Sequence, residues 1–158
     1  MQHIKNYIQH TIMEASISLQ HLFSDIVAQN LLPMCGCVSA GFPSPAADYI
    51  DEQLDLNAYC ITNRAATFIV RVSGDSMRDA GIFDTDIAVV DRSLTPKNND
   101  IIIGIIEGEF TIKRLIIHGC DMWLYPENTQ FQPIKITEHS EFRAWGVVTR
   151  VIHSFGKR

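Results

Sequence analysis

The chain predicts a mainly β domain of short antiparallel strands, preceded by a partly helical N-terminal arm. Three observations lead there. Beyond about residue 65, β-branched runs alternate with turn residues at short intervals, as in an antiparallel barrel or sandwich. Before residue 34, apolar side chains recur near helical spacing. Between the two, proline, glycine and small residues interrupt both patterns.

In the arm, Ile4, Ile8 and Ile12 and then Phe23, Ile26 and Val27 predict one or two amphipathic helical stretches. The arm carries Lys5, Glu14 and Asp25 as its only Lys, Arg, Asp or Glu up to residue 34. It is too short and too poor in basic residues for a helix-turn-helix module, which needs three helices and a phosphate-contacting face. LPMCGCVSAGFPSP (32–45) reads as an extended, accessible linker, because each proline also pushes its predecessor toward extended geometry. AADYIDEQLDL, with Ile50 and Leu54 four apart, predicts a short helical turn.

Seven strands are predicted after that: TFIVRVS (67–73), DIAVVD (86–91), DIIIGII (100–106), EFTIKRL (109–115), MWLY (122–125), PIKIT (133–137) and RAWGVVTRVIHSF (143–155). Glu107-Gly108 between the third and fourth is a hairpin-type connection that makes that pair antiparallel.

Composition narrows the function. The length of 158 residues, 46% of them hydrophobic, suits one globular domain with a short appendage. No apolar run approaches the roughly 20 residues that span a bilayer. The N-terminus lacks the basic start and apolar middle of a secretory signal, so a cytoplasmic location and no membrane contact are expected. A net charge of -5 argues against electrostatic attraction to nucleic acid. Cys35, Cys37, Cys60 and Cys120 are irregularly spaced and read as free thiols; Cys35-x-Cys37 lacks the second ligand pair of a zinc site. Asp84, Asp86 and Asp91 have cation-binding chemistry, but solubility and hairpin geometry explain them as well. No metal and no cofactor are expected.

Two residues carry chemistry. FIVRVS runs into Gly74, so Ser76 sits at a strand end where glycine permits a sharp turn, a good place for a nucleophile. A polar turn after a strand also needs no catalysis. The six histidines are scattered and suggest no Ser-His-Asp set. A lysine can replace histidine if burial lowers its pKa and frees the amine to take the serine proton. Lys113 meets that requirement among Phe110, Ile112, Leu115, Ile116 and Ile117; the opposing reading is that strand alternation turns it outward into solvent. Neighbouring Arg114 faces the other side and receives no role. Trp123, Phe142 and Trp145 read as core or dimer-interface aromatics rather than base-stacking platforms.

GFPSPAADY (41–49), SGDSM (73–77), GIFDTDIAVVD (81–91) and GEFTIK (108–113) resemble the LexA/UmuD-like peptidases of family S24, and within it the UmuD type of SOS-mutagenesis protein. The similarity covers about residues 40–155. It implies the signal-peptidase-like β fold of that family, Ser76 as nucleophile, Lys113 as general base and the backbone N–H groups of Asp75 and Ser76 as oxyanion donors. It implies self-cleavage at Ala40-Gly41, removing residues 1–40 as an arm and leaving 41–158 as the catalytic and dimerisation domain. Small residues there fit a narrow cleft, and Gly41 allows a kinked backbone. Cys35-Gly36 is a rival bond that lacks the following FPSP.

Also by resemblance, the expected trigger is a RecA filament on single-stranded DNA, and the processed form is a homodimer that serves a UmuC-like Y-family polymerase in translesion synthesis. The arm is longer than the family leads one to expect. Two other readings stand beside this one: a LexA-like transcriptional repressor, disfavoured by the weakly charged arm, and an interaction module with a vestigial dyad.

Overall fold

The computed structural model describes residues 31–35, 40 and 50–156. The chain divides between Tyr59 and Cys60 into two units. The predicted helical stretches of the arm lie outside the described residues.

In the first unit, β1 (Leu31–Cys35) pairs antiparallel with β2 (Ile50–Asp55), Leu31 opposite Asp55 and Cys35 opposite Ile50. Pro33 is tolerated because each strand of a two-stranded ribbon keeps one free edge. The helix α1 (Leu56–Cys60) follows directly. Asp55 caps it, its Oδ1 accepting from Asn57 N at 2.8 Å and Ala58 N at 3.2 Å. The helical turn expected over AADYIDEQLDL is therefore corrected: Ile50–Asp55 is a strand, and helix begins only after the cap. The ladder with β1 supplies partners for this backbone, which the four-residue spacing of Ile50 and Leu54 does not outweigh. The same ladder takes residues 32–35 out of the expected linker.

The second unit holds β3 (Thr67–Arg71), β4 (Ile87–Asp91), β5 (Ile101–Ile106), β6 (Glu109–His118), β7 (Asp121–Tyr125), β8 (Ile134–Ile136) and β9 (Phe142–Ile152). Each of the seven runs expected to be strands overlaps one of these. All pairings are antiparallel, in the order β3-β4-β9-β5-β6-β7-β8. Glu107 (φ 49°) and Gly108 (φ 84°) both take left-handed backbone, the signature of a two-residue type I′ hairpin between β5 and β6.

Adjacent residues on β5 face opposite ways. Ile103 joins one buried cluster with Val72, Met77, Ile82, Ala88 and Val90. Ile102 joins another with Leu115, Leu124 and Val147. The central strands are thus apolar on both faces, which explains the unbroken run IIIGII. Of the three aromatics, Phe142 packs on the second cluster and Trp145 on the first, whereas Trp123 lies under the Lys135 ammonium at 5.3 Å.

In a flat sheet, β3 and β6 would lie about 19 Å apart, four strand spacings. Instead they line one cleft. The sheet must curl, and irregularities between Val89 and Val90 and between Ile103 and Gly104 mark where register shifts against β9. Curling of an open sheet, with β3 and β8 as its edges among the described residues, takes the place of the expected barrel or sandwich closure.

Candidate active site

After β3 the chain continues its ladder for one residue, Val72 N donating to Asp86 O at 2.8 Å and Thr85 N to Val72 O at 3.0 Å. It then turns at Gly74, whose φ of 88° favours glycine. Asp84 Oδ1 accepts from Gly74 N at 2.8 Å and holds this corner. Met77, 1% exposed, plugs the next position into the first apolar cluster. Ser76 is left half-buried between a fixed corner and a buried plug.

Lys113 comes from the middle of β6, opposite Ile102. It is 9% exposed, so alternation turns it inward rather than to solvent. Its Nζ lies 2.9 Å from Ser76 Oγ, 3.1 Å from Thr111 Oγ1 and 2.9 Å from the Ile112 carbonyl. Burial strips water from the ammonium and lowers the lysine pKa from its ordinary value of 10.5. Among the described residues no carboxylate pairs with Lys113 to oppose that shift.

The three contacts match the three N–H donors of an ammonium, and once the proton is lost they can divide as follows. A neutral amine has two N–H donors and one lone pair. The carbonyl of Ile112 can only accept, and the Thr111 hydroxyl can accept the second N–H. The lone pair then meets the Ser76 hydroxyl, which is the arrangement for proton transfer from oxygen to nitrogen. Thr111 and Lys113 share a strand face because they are two residues apart.

Ser76 and Lys113 line a cleft of about 300 Å³ with apolar walls from Val70, Val72, Ile103 and Ile112. Behind Ser76, the Asp75 carbonyl accepts from Arg78 N at 3.2 Å and Asn128 Nδ2 at 3.0 Å. Glu127 N donates to the Ser76 carbonyl at 2.8 Å. Among the described residues, no acceptor takes the Asp75 or Ser76 N–H.

Ala40 is exposed. Gly41 and Gly36 lie outside the described residues, as does the side chain of Cys35. The three aspartates considered for a cation have separate partners: Asp84 holds Gly74, Asp86 bonds Phe83 N and His153, and Asp91 bonds Ser93. Among the described residues, no cluster of three metal-ligating side chains occurs. Arg114, which received no role from sequence, forms an ion pair with Glu127 and donates to Asn99 O at 2.8 Å. Sequence reasoning missed Thr111, which strand alternation from Lys113 would have found. It also missed Glu127 and Asn128, which carry no local signal beyond turn composition.

Residues 33–149 match the Peptidase S24-like family. The chain belongs to that family. Among relatives of this S24 chain, SamA of Salmonella typhimurium strain LT2 is 50% identical over 114 residues, 72% of this chain and 79% of SamA. ImpA of Escherichia coli is 45% identical over 122 residues, covering 72% and 77% of the two. The LexA repressor of Bordetella avium is more distant, 35% identical over 128 residues, or 81% of this chain and 60% of that repressor. The resemblance read from the four motifs therefore holds, and S24 membership places the chain among peptidase-like proteins. Among the described residues, no helix is long and apolar enough to cross a membrane.

Proposed function

We propose that the chain is a UmuD-like self-cleaving serine peptidase in which Ser76 is the nucleophile and Lys113 the general base. The approach of Lys113 Nζ to Ser76 Oγ at 2.9 Å, with the amine buried and its other contacts taken by Thr111 and Ile112, carries this reading. Lys113 takes the Ser76 proton as Oγ attacks the Ala40 carbonyl carbon. The N–H groups of Asp75 and Ser76 stabilise the oxyanion. The Ala40–Gly41 C–N bond then breaks, and Lys113 returns the proton to the Gly41 nitrogen. Water, deprotonated by the same amine, hydrolyses the acyl-enzyme and restores the serine.

Because nucleophile and scissile bond belong to one chain or one dimer, proximity replaces affinity, and a shallow apolar cleft is enough. The products are residues 1–40 and 41–158. By family resemblance, a RecA filament on single-stranded DNA raises the population of the competent state, and the processed homodimer serves a UmuC-like Y-family polymerase in the cytoplasm. The repressor reading has less support: the chain is 50% identical to SamA but 35% to the LexA repressor.

Incubation of the purified chain at about pH 10 tests the chemistry without a partner, since alkali frees the Lys113 amine. A fragment beginning at Gly41 is expected, absent in Ser76→Ala and in Lys113→Ala. An intact chain both under alkali and with RecA filaments would refute self-cleavage. A terminus at Gly36 would move the cut.

A further inference from the structure

The turn that carries Ser76 is held from behind by the loop after β7. Asn128 is 3% exposed; its Nδ2 donates to Asp75 O at 3.0 Å, and its Oδ1 accepts from Gln130 N at 3.0 Å. Beside it, Glu127 N donates to Ser76 O at 2.8 Å and Asp79 N donates to Glu127 O at 2.7 Å. The Glu127 carboxylate meets Arg114, the neighbour of Lys113 on β6. Glu127 therefore ties the nucleophile's turn to the strand of the base, and Asn128 holds the same turn from the loop after β7.

The bond to Asp75 has a directional effect. A trans peptide is planar, with its C=O and N–H pointing opposite ways, and no described peptide is cis. Fixing the Asp75 carbonyl toward Asn128 therefore fixes the Ser76 N–H away from Asn128. The Arg78 N bond to the same carbonyl closes the turn on itself and moves with it; the Asn128 bond refers the peptide plane to the rest of the domain. We propose that Asn128 is a positioning residue that aims the Ser76 amide at the oxyanion formed during self-cleavage. This rests on the peptidase reading above. The site calls for a donor toward Asp75 and an acceptor for Gln130 in a buried place, and a side-chain amide supplies both without charge. An aspartate or serine oxygen at this position would still accept from Gln130 N but would not donate to Asp75 in the same way.

The test uses the full chain and follows first-order loss of intact protein across about pH 7 to 11. Wild type, Ser76→Ala, Asn128→Asp and Asn128→Ser are compared below their melting temperatures, and either Asn128 variant suffices if the other does not fold. Both Asn128 variants are expected to lower the alkaline plateau rate by about tenfold to 100-fold, in the range of a weakened oxyanion donor. In the uncharged Asn128→Ser the pH midpoint, set by Lys113, should stay in place. Cleavage that survives Ser76→Ala overturns the peptidase reading and this inference with it. If Ser76→Ala is inert but Asn128→Ser cleaves at the full rate, the inference alone falls. It also falls if the rate lost in Asn128→Ser returns at higher pH, because Asn128 would then act through the base.

Discussion

Lys113 Nζ and Ser76 Oγ meet at 2.9 Å although 37 residues separate them in the chain and three strands separate β3 from β6 in the sheet. The contact exists because the sheet curls and because Met77 and Asp84 pin the turn on either side of the serine.

Burying that lysine gives stability a pH dependence of definite sign. Its folded pKa lies below the ordinary 10.5 of the unfolded chain. Below the folded value both states are protonated, and the cost of burying the charge is present in full. Between the folded value and 10.5 the unfolded chain holds the extra proton, so stability rises with pH. In chains that also carry Ser76→Ala, Lys113→Met should be the more stable at neutral pH, with the gap closing toward alkali. Urea midpoints across pH measure it; a gap independent of pH would contradict the buried-amine account.

Thr111→Val removes one acceptor from the amine while keeping the branched shape. A buried N–H loses its partner and the amine loses its orientation, so self-cleavage should slow about tenfold, in the lower range for a group that assists proton transfer. Thr111→Ser keeps the oxygen and should cleave near the normal rate. Equal rates for all three proteins would remove Thr111 from the mechanism.

Met77 links stability to the site. Met77→Ala should destabilise the domain by about 2–5 kcal/mol, the usual cost of a large buried truncation, and slow cleavage by loosening the turn. Met77→Leu, nearly equal in volume, should cost less than about 1.5 kcal/mol. Denaturant unfolding separates the two, and a small loss in Met77→Ala would show that the plug is dispensable.

Gly146 and Gly104 are both buried in the sheet but should respond differently to alanine. A Cβ at Gly146 would stand 2.6 Å from Val90 Cγ1 and 3.2 Å from the Asp91 carbonyl, where a backbone atom has to move. At Gly104 the tightest neighbour is Phe142 Cε2 at 2.9 Å, the far end of a side chain that can rotate. Gly146→Ala should cost about 1–3 kcal/mol or more and Gly104→Ala less, read from thermal or urea unfolding. The reverse order would mean that Phe142 is held more rigidly than the β4 backbone.

Strand content was legible from residue order because a strand's signal is local. Alternation, β-branched runs and a Glu-Gly turn place seven strands within a few residues of where they lie. The motifs around Ser76 and Lys113 were legible for the same reason: each is a short contiguous pattern. The hairpin of Leu31–Cys35 with Ile50–Asp55 was not, because its ladder joins segments that look like linker and helix when read separately.

What residue order left open was the side of β6 on which Lys113 lies. Alternation makes two faces but does not say which is wet, and in this sheet both faces of the central strands are covered. Only the curl decides, since it brings β3 over β6 and turns one face into a cleft in which the lysine is buried. The loop residues Glu127 and Asn128 enter the site the same way, through hydrogen bonds to a turn about 50 residues earlier. Local chemistry is written in neighbouring residues. The burial that lowers the pKa of an amine and the hydrogen bonds that brace the turn of Ser76 depend on contacts between distant ones, and those arise only when the sheet curls around the site.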